Sequence, residues 1–180
     1  MKRILLSGLV GFTLILSNCA FLKDQVARLP SSVQATTNQT KPVTNYLKHY
    51  LIRNGGLSNM DRQDCKGYAQ QSVALCKSDT CKALLNEQEF RCTDQNCKAF
   101  ITERSELCTD EVCKALVDNQ TEKCKASDKV CQSMVNQDSA VCENEDCKAW
   151  LDQTPIKCKS DQCRAIVAEN INFCDPQSNK

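Results

Sequence analysis

The sequence predicts an all-α, disulfide-stapled array of seven short 16-residue helical repeats, solenoid-like, preceded by a capping helix and a flexible tether. Three observations carry that expectation. Two-cysteine units begin at Cys65, Cys81, Cys97, Cys113, Cys131, Cys147 and Cys163, and each has its second cysteine eleven positions on, at Cys76, Cys92, Cys108, Cys124, Cys142, Cys158 and Cys174. Repetition at a fixed short period is the signature of an array whose units bury surface against their neighbours. Within each unit the residues after the first cysteine follow one rule: position +2 is small, +3 is large and +4 is apolar, as in Ala115, Leu116 and Val117. Positions zero, +3 and +4 share one face of a helix. Before the cysteines stand Ser78-Asp79, Thr93-Asp94, Thr109-Asp110, Ser127-Asp128 and Ser160-Asp161. Such side chains accept hydrogen bonds from the free N–H groups that open a helix.

In order along the chain, residues 1–18 read as a signal peptide. Met1-Lys2-Arg3 is basic, and Ile4 to Leu16 is apolar apart from Ser7, Gly8, Gly11 and Thr13. This run is short for a membrane-spanning helix and suits a secretory signal. It ends in Leu16-Ser17-Asn18-Cys19, which resembles the lipobox of bacterial lipoproteins. Asn18 departs from the usual Gly, Ala or Ser. The resemblance implies cleavage before Cys19, acylation of its thiol, and membrane attachment in the cell envelope, at the outer membrane in a Gram-negative cell. Acyl chains anchor because each buried CH₂ contributes roughly 0.8 kcal/mol. Fifteen cysteines is an odd number. Giving Cys19 to lipid leaves fourteen for seven bridges.

Residues 19–42 are rich in Ser, Thr, Asn and Gln, as in Ala35-Thr36-Thr37-Asn38-Gln39-Thr40. Such a stretch buries no core and is expected to act as a tether. Over 43–56, Val43, Tyr46, Leu47, Tyr50 and Leu51 recur at helical spacing, and Asn54-Gly55-Gly56 supplies the stop. This helix is expected to cover the first repeat, since terminal repeats need a cap. His49, the single histidine, lies off the apolar stripe and reads as a solvated surface residue.

In the repeat domain, 65–174, each unit reads as a helix of two to three turns, a turn, and a second short helical piece ending near the second cysteine. Residues 175–180 form a tail. The expected bridges lie within units: Cys65–Cys76, Cys81–Cys92, Cys97–Cys108, Cys113–Cys124, Cys131–Cys142, Cys147–Cys158 and Cys163–Cys174. The eleven-residue spacing never varies, whereas the gap between units is five, or seven at the insertion in Lys125–Val130. Pairing across the shorter gap would strand Cys65 and Cys174. The competing pattern puts both cysteines of a unit on one face of a single longer helix and joins neighbouring helices, as in twin-cysteine helix-hairpin proteins. The architecture is similar in principle to disulfide-stapled helical repeat proteins of Sel1 type, whose repeats are about twice as long; no residue role is carried over from them.

Twenty-three Lys and Arg against 22 Asp and Glu give no basic face for phosphate, which argues against nucleic acid. No Gly-rich phosphate loop occurs, and His49 has no neighbouring nucleophile in the sequence. No catalytic residue, cofactor or metal site is read. C-x₂-C zinc spacing is absent, and exported cysteines are disulfides first. The one repeated position with binding character is +1: Lys66, Lys82, Lys98, Lys114, Lys148 and Arg164, with Gln132 the exception. Stacked units would align them as a ladder for an acidic partner, unless each pairs with an acid of its own helix. The expected function is a non-catalytic cell-envelope scaffold, tied to the membrane through Cys19 and binding an unidentified protein or polymer. An inhibitor or protective protein against a hydrolase, and a cysteine-rich metal binder, are the alternatives.

Overall fold

A computed structural model describes residues 39–175. Cys19, the signal segment and most of the tether lie outside these residues. The described chain is all-helical and has no strand. Helix α1 (Lys41–Asn54) is followed by seven repeat helices: α2 (Arg62–Gln70), α3 (Asp79–Asn86), α4 (Gln95–Thr102), α5 (Glu111–Asp118), α6 (Lys129–Asn136), α7 (Glu145–Asp152) and α8 (Asp161–Val167). A single 3-10 turn follows each repeat helix and leads into or includes the second cysteine. No helix among the described residues is long and apolar enough to cross a membrane.

Helices α3 to α8 each start at a side-chain cap three residues before the first cysteine of the unit. Ser78, Asp94, Asp110, Asp128, Asn144 and Ser160 accept from the N–H of Cys81, Cys97, Cys113, Cys131, Cys147 and Cys163 at 2.6–3.1 Å. Each cap satisfies one orphan donor and is worth about 1 kcal/mol. Asp94 and Asp110 do not pair with the lysines four residues on, Lys98 and Lys114. Those carboxylates point at the helix start, and Lys114 Nζ pairs with Glu111 at 2.7 Å instead.

Each helix also stops in one way. Position +6, occupied by Gln71, Glu87, Glu103, Asn119, Gln137, Gln153 and Glu169, is left-handed with φ of 51–56°. The next N–H reaches back to the carbonyl of +2, as Gln88 to Ala83 at 2.9 Å and Gln120 to Ala115 at 3.0 Å. This is the six-to-one bond of a Schellman stop, where glycine is the usual resident. Here six of the seven residues are Gln or Glu, so the turn carries a conformational cost of about 1 kcal/mol in each unit.

The disulfide pattern corrects the within-unit pairing. Six bridges span the short gaps between units: Cys76–Cys81, Cys92–Cys97, Cys108–Cys113, Cys124–Cys131, Cys142–Cys147 and Cys158–Cys163. The seventh joins Cys65 to Cys174 across a separation of 109 residues. The two cysteines that short-gap pairing strands are thus partners of each other. The physical reason is closure. Consecutive repeat helices touch in sequence from α2 to α8, and α2 also packs on α8 and on the last turn, Ile171–Cys174. Asp175, next to the seam, accepts an ion pair from Lys66 at 2.9 Å and lies 3.8 Å from Arg62. The array is a ring.

The small residue at +2 has its reason in the same bridges. A Cβ on Gly67 would come within 2.6 Å of the Cys76 sulfur and 2.9 Å of the Cys81 sulfur. In the other units Ala83, Ala99, Ala115, Ser133, Ala149 and Ala165 occupy the position, all fully buried. The +3 side chains, from Tyr68 and Leu84 to Trp150 and Ile166, are buried in one continuous core. The two-residue insertion folds into an extra turn closed by Asp128 N–H to the Lys125 carbonyl at 2.9 Å. Gln132, the exception at +1, donates to the carbonyls of Lys125 and Ala126 at 3.1 Å. The exception at +1 thus fastens the insertion to α6.

Helix α1 is the second correction. It does not sit on the first repeat as an end cap. It packs on α3, α4, α5 and α6, and a closed ring has no free end to cover. From Pro42 to Ile52 none of its residues is exposed. Val43, Leu47 and Leu51 are fully buried. Tyr46 sits between Tyr68 of α2 and Phe100 of α4, with ring centroids 6.1 and 6.5 Å away.

Candidate functional site

A central helix must satisfy its polar face from within the ring, and α1 does so. Asn45 donates to the Leu116 carbonyl at 3.5 Å and Lys48 Nζ to the Met134 carbonyl at 3.2 Å. Both acceptors lie in the last turns of α5 and α6, where carbonyls lack helical partners. Burial holds the Lys48 amine below its ordinary pKa.

His49 is not a solvated surface residue. Its side chain is 13% exposed, and its Nε2 lies 3.0 Å from Asp110 Oδ2. Asn96 Nδ2 is 3.5 Å from the same ring nitrogen and donates to Asp110 at 3.2 Å. The imidazole also meets Phe100 edge-on, 5.6 Å between centroids. Burial pushes the Asp110 carboxyl up. The Cys113 N–H, His49 and Asn96 outweigh that effect and hold it below the usual carboxylate value. The sequence signal missed here is that Asp110, a cap of the ring, stands opposite a helix thought to have an open polar side. The polar partners of His49 are the acid Asp110 and the amide Asn96. The cluster joins α1 to the α4–α5 step.

A cleft of about 440 Å³ opens between the turn after α1 and the starts of α7 and α8, with Gly55, Gly56, Asp146, Lys159, Ser160 and Asp161 on its walls. Asp146 is the buried group within it. Its carboxylate accepts from Lys159 N–H at 2.7 Å, Ser160 Oγ at 3.1 Å and Leu57 N–H at 3.5 Å. Gly56 permits that approach: at φ 148° its position leaves a Cβ 3.0 Å from Asp146 Oδ2. The acid is committed to fastening the exit of α1 to the α7–α8 step. Asp64 plays the corresponding part in the first unit, accepting from Lys77 and Ser78 N–H at 2.9 Å.

Asp64 with Cys76 and Cys81, and Asp146 with Cys158 and Cys163, place three potential ligand atoms within 4.8 Å. In both clusters the two sulfurs are bonded to each other. A disulfide sulfur is not a thiolate, and the thiolate is the form that binds metal.

The +1 cations are placed as follows. Lys82, Lys114, Lys148 and Arg164 pair with Asp79, Glu111, Glu145 and Asp161 one turn earlier on their own helices, at 2.7–3.6 Å. Lys66 pairs with Asp175 at the seam. Lys98 is half-buried on α4. Five of the six cations therefore stand beside a carboxylate, and the row carries little net positive field. A different outward position shows apolar character. At +9, on the 3-10 turns, Phe90 is 75% and Ile156 87% exposed. These turns are held on one side by the Schellman stop and on the other by a disulfide. Arg91 lies over the Phe90 ring, 5.6 Å from its centroid.

Comparison with known proteins finds no matching family model, no matching curated protein and no matching solved structure.

Proposed function

We propose that the chain is a non-catalytic cell-envelope lipoprotein, anchored through Cys19, whose closed ring serves as a rigid scaffold for a protein or polymer partner. The observation that carries this reading is that all fourteen repeat cysteines are bridged. Bridges of this density belong to oxidising compartments outside the cytosol, which is where the Leu16-Ser17-Asn18-Cys19 segment would deliver the chain. The outer membrane, facing periplasm or surface, is the proposed location. Contact with the partner is proposed at the 3-10 turns, through Phe90 and Ile156, with the +1 cations as a weaker, charge-paired row. Nucleic acid is not the partner proposed, because the chain is close to neutral. A second reading, an inhibitor of a hydrolase, draws on the same two side chains, since braced turns with protruding apolar residues pay little ordering entropy on binding.

Cross-linking in intact envelopes tests the binding proposal. The full chain is expected to capture a specific partner, and Phe90→Ser with Ile156→Ser to lose it while unfolding at an unchanged temperature. Capture that is absent, or unaffected by the double substitution, contradicts the proposed face. Intact mass of the mature protein tests the anchor: an acyl increment on an N-terminal Cys19 is expected, and an unmodified Cys19, or its removal with the signal peptide, contradicts it.

A further inference from the structure

We infer that a thiol–disulfide isomerase is an obligate folding partner of this chain, because its cysteines admit two complete pairing frames and only one of them closes the ring. Read from Cys65, pairing each cysteine with the next gives seven bridges with no thiol left over. That frame is Cys65–Cys76, Cys81–Cys92, Cys97–Cys108 and so on to Cys163–Cys174. The native frame is displaced by one cysteine. It needs Cys65 to stay unpaired until Cys174, 109 residues later, is in place.

Neither frame wins decisively on local grounds. The native short gaps are five or seven residues, while the alternative gaps are eleven. Doubling a flexible loop lowers its closing probability only about threefold. Against that stands order of appearance. When Cys76 becomes available in a chain that emerges from its N-terminus, Cys65 is the single repeat cysteine already present. An error at that first step passes down the array, because each wrong pair hands the next cysteine to its own unit.

The wrong frame is also a trap. Disulfides exchange only by attack of a thiolate on a bridge sulfur. A chain with seven wrong bridges holds no thiol among its fourteen repeat cysteines. Correction therefore requires a thiolate from outside. The isomerase thiolate attacks one sulfur of Cys65–Cys76, forms a mixed disulfide and releases the other cysteine as thiolate. That thiolate attacks the neighbouring bridge, and the displacement moves along the array. The last thiolate released expels the isomerase from its mixed disulfide. Seven bridges enter and seven leave, with no net electron transfer. The original oxidation is a separate step in which a disulfide oxidant takes two electrons and two protons per bridge.

The test uses the full chain carrying Cys19→Ser, translated in vitro in detergent with a stoichiometric thiol-free oxidant present, so that the cysteines become available in chain order. The substitution removes the fifteenth thiol, so the outcome is independent of lipidation and of the proposed function. Peptide mapping of total protein without reduction is expected to find within-unit bridges and little Cys65–Cys174. A catalytic amount of reduced disulfide isomerase should then convert the mixture to the native frame without changing the number of bridges. In Cys65→Ser with Cys174→Ser, pairing each cysteine with the next is already the native frame, and the six local bridges should form without isomerase. The inference is overturned if the fourteen-cysteine chain acquires Cys65–Cys174 as completely without isomerase. It is equally overturned if the double variant needs the enzyme as much as its parent does.

Discussion

Glu87 illustrates how much of this fold is decided by single residues in unfavourable places. It holds φ at 54°, a conformation that costs a residue with a Cβ about 1 kcal/mol relative to glycine. Glu87→Gly is expected to stabilise the protein by about 1 kcal/mol in denaturant titration, reduced by the extra chain entropy glycine gives the unfolded state. An unchanged or lower midpoint would mean that the side chain makes a compensating contact. Nothing in the sequence marks this position, since glycine is the residue that announces such a stop and glycine is absent from all seven sites. Asp110 is the opposite case, legible as a cap and silent about its second role. Asp110→Ala removes the cap and the His49 contact together and is expected to cost about 2 kcal/mol. The folded carboxyl titrates below its unfolded value. Its contribution is therefore present above the unfolded pKa near about 3.9 and is lost as pH falls through the folded value. The alanine variant should lose part of the acid sensitivity of the parent; an identical pH profile would remove Asp110 from the account.

At the scale of the element, the repeat helices were readable because several signals agree. Ser, Thr and Asp before the cysteine, a small +2, a large +3 and an apolar +4 all specify one short helix with one buried face. The turn after it follows from polar runs such as Asp118-Asn119-Gln120-Thr121. Helix α1 was readable as a helix and unreadable as a centre. Its apolar stripe is what a helix covered on one side would show, yet its Asn45, Lys48 and His49 are also enclosed. They find partners in residues 47 to 86 positions away, and a local pattern carries no information at that distance. Leu47→Ala is expected to cost about 3 kcal/mol, within the range for emptying a buried leucine site. Hydrogen exchange should then quicken in α4 and α5 together. Acceleration confined to α2 would restore α1 to the role of an end cap.

At the scale of the molecule, the bridges divide into two kinds. In the chain-entropy treatment a loop of about six residues contributes about 2 kcal/mol, whereas one of about 110 contributes about 5 kcal/mol. The clasp is thus the largest single cross-link, and Cys65→Ser with Cys174→Ser is expected to lower unfolding free energy by about that amount. Removing a local pair such as Cys108 and Cys113 should cost less than half as much, and equal losses would contradict the division. The sequence carried the closure in disguise. Short-gap pairing leaves over the first and last repeat cysteines, and in a linear array that leftover looks like an argument against the pairing. In a ring it is the join. Spacing along a chain does not distinguish the two, because curvature accumulates from small rotations between units that no single repeat displays.

The central claim is that the seven units form a closed ring. It is tested most directly by proteolysing the oxidised, cell-derived protein without reductant and sequencing the cross-linked peptides. The ring predicts one peptide pair that joins Cys65 to Cys174, along with six short-range bridges. A pair joining Cys65 to Cys76, with Cys163 joined to Cys174, would contradict it.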